Sequence, residues 1–149
     1  MNDRRYPRFP IPGVGAIVVG PLGVLLARRD KAPGKGLWSI PGGGVELGET
    51  QVESVVREVE EETGVKCEVV DFVSTFDYIS RDTSAGIEFH FLLNHYLARA
   101  LTKATRPETV DGEVGWFHPD NLPEDMANTR IIDLIMSVRE RILALMVDR

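Results

Sequence analysis

Short aliphatic runs separated by polar turns fill the first part of the chain, and two stretches with helical spacing follow. Val14 to Val19 and Leu22 to Ala27 flank Gly20-Pro21-Leu22-Gly23, a pattern that reads as a hairpin. A polar loop carrying Pro33, Gly34 and Gly36 leads to a short strand, Leu37-Trp38-Ser39-Ile40. Pro41-Gly42-Gly43-Gly44 then breaks regular structure. Thr50 and Glu53 form a capping box, and Gly64 supplies a C-terminal stop. Between them Val52, Val55, Val56, Val59 and Thr63 recur at helical spacing as one apolar stripe. Cys67–Phe76 and Ile87–Ala100 read as long strands, and Glu113–Phe117 as a short one. From about Asn128 to Met146 a second amphipathic helix buries Ile131, Ile132, Leu134, Ile135, Val138, Ile142 and Leu145. The expected fold class is α/β, a mixed β-sheet with helices packed on it. Residues 1–12, with Pro7, Pro10 and Pro12, read as an irregular lead-in, and 13–149 as a single domain.

Composition narrows the class. The chain has 149 residues, 43% hydrophobic and 27% charged, enough for one globular core without a disulfide. Cys67 is the single cysteine, so no intrachain bridge forms, and it reads as a small buried hydrophobe. No apolar run approaches the ~18 residues of a membrane span. The N-terminus lacks an apolar signal core, so the expectation is a cytoplasmic protein with no membrane partner. A net charge of −6 argues against generic binding to a nucleic-acid backbone. The acid is local: residues 46–62 hold seven glutamates and one arginine, Arg57, an excess equal to the net charge of the whole chain. That excess is either a solvated acidic face or a cation site.

Glu58, Glu61 and Glu62 stand at i, i+3 and i+4, so a helix places them on one face, about 120° from the valine stripe. Like charges at this spacing weaken a helix, and the last turns of a helix favour cations over anions. Two local rules are broken together, as happens at functional sites. Clustered carboxylate oxygens suit Mg²⁺ or Mn²⁺, whose open positions a phosphate can fill. The Gly42-Gly43-Gly44 run lets backbone pass close to a ligand, and it directly precedes the acidic helix.

Gly43, five residues, Glu49, seven residues, then Arg57-Glu58-Val59-Glu60-Glu61-Glu62-Thr63-Gly64-Val65 resembles the Nudix box at every position. The resemblance implies an α/β/α sandwich over most of the chain. It also implies hydrolysis of a nucleoside diphosphate linked to another group, using a divalent metal, Mg²⁺ or Mn²⁺. Carried onto this chain, Glu58, Glu61 and Glu62 are the metal ligands, with the Gly42 carbonyl as an extra one. Gly42 and Gly43 bring backbone against the substrate, and Arg57 and Glu49 orient loop and helix through a salt bridge. Family members take the water's proton with a box glutamate or with one from a later loop. Glu61 is the box residue placed among the catalytic groups, and Glu113, just before a short strand, is the late-loop candidate.

The substrate is less legible. Arg28 and Arg29 follow the second strand and can reach phosphates. Trp38, Phe76, Tyr78 and Trp116 are candidates for stacking on a base, Tyr78 foremost. Phe76-Asp77-Tyr78-Ile79-Ser80-Arg81-Asp82 followed by Phe89-His90-Phe91 resembles the ADP-ribose pyrophosphatase subgroup. The expected partner is therefore a small nucleotide, ADP-ribose ahead of nucleoside triphosphates. A non-catalytic nucleotide-sensing module is the reading from another class, and the complete box speaks against it. A homodimer is left open. His90, His95 and His118 show no metal spacing and read as strand or surface residues.

Overall fold

One mixed sheet separates two helical layers in the computed structural model, which describes residues 4–148; residues 1–3 of the lead-in and Arg149 lie outside the described residues. The strands are β1 (Ile11–Gly20), β2 (Gly23–Arg28), β3 (Trp38–Ser39), β4 (Gly42–Gly44), β5 (Cys67–Arg81), β6 (Ile87–Ala100) and β7 (Val114–Phe117). The helices are α1 (Gln51–Thr63), α2 (Thr129–Ser137) and α3 (Arg139–Val147). The main order is β3-β2-β1-β6-β5, with β4 paired to β1 and β7 to β2. β1 runs parallel to β6 from Ile11↔Phe91 to Val19↔Arg99, while β5 and β6 are antiparallel. β1 is buried on both faces, which explains its nearly unbroken aliphatic run.

The two faces hold separate cores. Val14, Ala16, Val18 and Ala98 pack with Val55, Val59 and Val65 of the α1 layer. Ile17, Val19 and Leu97 pack with Leu134, Ile135 and Ile142 of the α2 and α3 layer. Each fully buried aliphatic side chain contributes roughly 1.5–3 kcal/mol. Among the described residues no helix is long and apolar enough to cross a membrane.

The structure corrects several sequence expectations. β1 begins at Ile11, inside the lead-in, because Ile11 and Pro12 continue the ladder with β6. Gly42–Gly44 do not break structure; they form β4, with Gly42 opposite Gly15 and Gly43 opposite Val14. β5 continues past Phe76 to Arg81, held by β6 along its length. The C-terminal helix is two helices. Val138 sits at φ −120°, ψ 21°, outside the helical range, and the Ser137 hydroxyl donates to the Leu134 carbonyl just before it. The valine stripe is narrower than its spacing suggests. Val55 is 1% exposed but Val52 is 46% exposed, and Ser54 and Glu58 join Val55, Val59 and Thr63 on the buried face of α1.

Candidate active site

Local chemistry sets α1 in place. The Thr50 hydroxyl accepts from the Glu53 N–H at 3.1 Å and the Glu53 carboxylate accepts from the Thr50 N–H at 2.9 Å. Those bonds hold the Glu53 carboxyl below its usual range. Gly64 closes the helix in the left-handed conformation, φ 77°, where a β-carbon is disfavoured.

Arg57 is the hub of the acidic segment. Its Nε and Nη2 donate to the two Glu49 oxygens at 2.6 and 2.8 Å, a bidentate fork. Nη1 reaches Glu58 at 2.8 Å and Glu61 at 3.3 Å, and Nη2 also donates to the Gly44 carbonyl at 3.2 Å. One guanidinium therefore ties the loop, β4 and two carboxylates together. It holds Glu49 down at about 2, and Glu49 raises Arg57 in return.

Glu58 is 3% exposed and lies flat against Gly43. Burial raises its pKa despite Arg57. Glu62 accepts the Gly42 N–H at 2.8 Å. Enclosure pushes Glu62 up to about 8, with Glu58 and Glu108 adding repulsion. Glu61 is more open, its side chain 46% exposed. Among the described residues no three His, Cys, Asp or Glu side chains are already gathered into a metal cage. Arg57 and the Gly42 amide occupy several of the oxygens. The chemistry of the set still fits a hard cation: it is all oxygen, anionic and partly desolvated, and a cation would relieve both burial and repulsion.

Glu58 and Glu62 open on a cleft of about 830 Å³, within the usual size of a small-molecule site, whereas Arg57 and Glu61 face a separate depression beside Val52, Val56 and Arg106. Gly42, Gly43, Glu58 and Glu62 line one part of it, and Phe76, Tyr78, Phe91, Leu93 and His95 another. Arg28 and Arg29 line it too, but both are engaged. Arg28 donates to Glu113 at 2.8 Å, to Asp125 at 2.6 Å and to the Gly36 carbonyl at 2.8 Å, and lies over Trp38. Arg29 donates to the Pro33 carbonyl. Glu113 is thus tied to Arg28 rather than to the box glutamates. Trp38 and Trp116 turn away from base recognition. Trp38 packs edge-on against Phe117 at 5.0 Å, and the Trp116 indole donates to the Lys103 carbonyl. Cys67 is buried, and burial raises its thiol to about 11.

Two groups escaped the sequence reading. Glu108 lines the cleft, and its charge acts on Glu58 and Glu62; partial burial, Asp30 and Glu61 raise it. It lies 46 residues beyond Glu62 in an irregular loop, where no spacing rule points to it. His95 is buried in the cleft wall. The alternation along Ile87–Ala100 places it on an inward face, a signal available in the sequence.

Comparison with known proteins shows the family. A family profile described as NUDIX domain matches residues 10–136. The chain is 36% identical over 104 residues to a putative mutator protein MutT4 of Mycobacterium tuberculosis, covering 69% of this chain and 41% of that protein. It is 40% identical over 124 residues to an ADP-ribose pyrophosphatase of Methanocaldococcus jannaschii, covering 83% and 71%. The crystal structure of a MutT NUDIX hydrolase from Burkholderia pseudomallei superposes with a TM-score of 0.74 at 32% identity, covering 88% of this chain and 99% of that one. The chain spans less than half the length of several curated relatives that it matches. With the profile matching most of its length, the chain belongs to the NUDIX domain family.

Proposed function

We propose that this protein hydrolyses the pyrophosphate linkage of nucleoside diphosphate derivatives, with ADP-ribose as the favoured substrate. One observation carries the reading. Glu58 and Glu62 are desolvated carboxylates, packed on a glycine backbone at a cleft of nucleotide size. An acidic, partly buried surface of this kind repels a pyrophosphate unless a cation lies between them. Similarity to an ADP-ribose pyrophosphatase supports the choice of substrate.

NUDIX hydrolases generally use divalent metals such as Mg²⁺. Glu58, Glu61 and Glu62 would hold the ion, with the Gly42 carbonyl beside them. When bound, it neutralises the pyrophosphate charge and makes an attacking water more acidic. The chain's own residues do the rest. Arg57 sets the orientation of Glu58 and Glu61, and Glu49 locks Arg57 by its bidentate bond. Gly43 leaves room for the Glu58 carboxylate beneath the substrate. Glu108 accepts the proton of the attacking water, a role for which the sequence alone nominated Glu113. Both glutamates line the cleft, and the action of Glu108 on Glu58 and Glu62, where Glu113 is bound to Arg28, supports that choice.

A second reading, a nucleoside triphosphate pyrophosphatase, draws on the similarity to proteins named for MutT. Phosphorus NMR on ADP-ribose and on nucleoside triphosphates, with Mg²⁺ or Mn²⁺, separates the two. AMP plus ribose 5-phosphate supports the first. Pyrophosphate plus a nucleoside monophosphate supports the second. Nucleotide affinity without turnover in either metal refutes both and leaves a sensing module.

A further inference from the structure

The segment ahead of β1 brings a cation to the cleft that the hydrolytic reading leaves unused. Arg4 lines the cleft and is half-buried. Its guanidinium fills the place that a side chain at Gly44 would take: a β-carbon there would overlap Nη1 and lie 2.7 Å from Nη2. Arg5, Arg28, Arg29 and Arg130 line the cleft as well, and each has a partner. Arg5 pairs with Glu88, Arg28 with Glu113 and Asp125, Arg29 with the Pro33 carbonyl and Arg130 with the Asp77 carbonyl. Among the described residues no hydrogen bond or ion pair takes up the Arg4 guanidinium. That group offers five donors and no acceptor, and partial burial removes water from it without a compensating bond.

Arg4 is held at this place by the two residues that follow it. The Tyr6 N–H donates to the Glu88 carbonyl at 2.7 Å, and the Tyr6 hydroxyl donates to the Asp82 carboxylate at 2.8 Å. Asp82 is itself fixed in the β5–β6 turn, where it accepts from the Ser84 and Gly86 N–H groups at 2.9 and 2.8 Å. Arg5 lies 3.7 Å from Glu88 and 5.8 Å over the Phe89 ring. Tyr6 stands at φ 53°, a left-handed conformation that a residue with a side chain rarely adopts and that the surrounding bonds must hold. The segment is therefore strapped to the β5–β6 hairpin, and the ordering of Arg4 is settled before any ligand arrives.

The place itself indicates the chemistry. Successive positions of a strand face opposite sides. Glu58 lies against Gly43 and Arg4 against Gly44, so a carboxylate and a cation flank β4 from its two sides. Glu58 is already bonded to Arg57, which leaves the donors of Arg4 for a ligand. The planar fork of a guanidinium matches two non-bridging oxygens of a phosphate. We propose that Arg4 is a substrate-binding residue that donates to non-bridging oxygens of the diphosphate from the side of β4 opposite Glu58. The inference rests on the pyrophosphate reading above and deepens it.

The test is isothermal titration calorimetry on the full chain with Mg²⁺, using α,β-methylene-ADP, whose diphosphate cannot be cleaved, and adenosine, which has none. Arg4→Gln should weaken binding of α,β-methylene-ADP about tenfold or more, the loss expected for a hydrogen bond to a charged group. Arg4→Lys, which keeps the charge but not the fork, should lose less. Adenosine affinity should be unchanged in both. Thermal unfolding of Arg4→Gln should match wild type, because no bond within the protein is removed, whereas a purely structural arginine would lower it. Unchanged affinity for α,β-methylene-ADP in Arg4→Gln would overturn the proposal, as would an equal loss for adenosine. A wild-type chain that binds neither compound would overturn the nucleotide reading and the role of Arg4 together. Binding that depends on Arg4 without any hydrolysis of ADP-ribose would uphold Arg4 and defeat the proposed activity alone.

Discussion

Gly43 and Glu58 are in such close contact that a β-carbon on Gly43 would lie 2.5 Å from the Glu58 carboxyl carbon and 2.6 Å from each of its oxygens. Gly43 has no positive φ, so its backbone would accept alanine, and the nearest conflict is with Glu58. Gly43→Ala therefore probes the position of that carboxylate. Turnover is expected to fall about 100-fold, the order of loss from a displacement near 1 Å in an active site. Loss of the Arg57–Glu58 bond should lower stability by about 1–3 kcal/mol. Steady-state kinetics beside thermal unfolding check both, and normal kcat in a folded variant would remove Glu58 from the account.

The two late glutamates separate by substitution. Glu113 is held by Arg28 at 2.8 Å, whereas Glu108 acts on the acidic cluster. Glu108→Gln is expected to lower kcat about 100-fold with little change in KM, the scale of a lost general base. Glu113→Gln should change kcat by less than about fivefold, because it removes one bond of an exposed pair. The reverse order, measured at saturating Mg²⁺, would return the base role to Glu113.

Helix α1 offers a test of its own rotation. Val55 is fully buried and Val52 is largely open beside Val56 and Arg106. Val55→Asp should destabilise the protein by several kcal/mol or prevent folding, since it buries an unpaired charge. Val52→Asp should stay within about 0.5 kcal/mol of wild type. Denaturant unfolding of both settles the orientation, and similar losses at the two positions would mean that the helix is turned.

Stability should depend on pH through His95. Its folded pKa, about 4, lies below the ordinary imidazole value of about 6.5, so the unfolded chain binds the extra proton first. The contribution is complete above about pH 6.5 and is lost as pH falls toward 4. The shift is worth at most about 3 kcal/mol. Urea unfolding at pH 7 and pH 5 should show wild type weakening more than His95→Gln. Equal slopes would show that the ring is not enclosed as described.

What could be read from the residues alone follows the range of the forces involved. The capping box and the Gly64 stop depend on groups at most four residues apart and follow from local sequence, while the Arg57–Glu49 bond, which reaches out of the helix, is implied only by the resemblance to the Nudix box. The partners of Arg28 stand 85 and 97 residues away, so no local pattern announces that this arginine is already engaged. Burial of Glu58 depends on the side-chain-free strand it meets, which made a charged residue part of the covered face and left Val52 outside it. The split at Val138 was hidden because the apolar spacing runs on through both helices. Glu108 sits in a loop with no period to read.

The central claim is that the α1 carboxylates hold a divalent ion which carries the diphosphate. Anomalous scattering from crystals soaked in Mn²⁺ with a non-hydrolysable ADP-ribose analogue addresses it most directly. The account expects a manganese peak within bonding distance of Glu58 and Glu62 oxygens, with the diphosphate on its far side. A nucleotide bound in the cleft with no manganese beside those oxygens would contradict it.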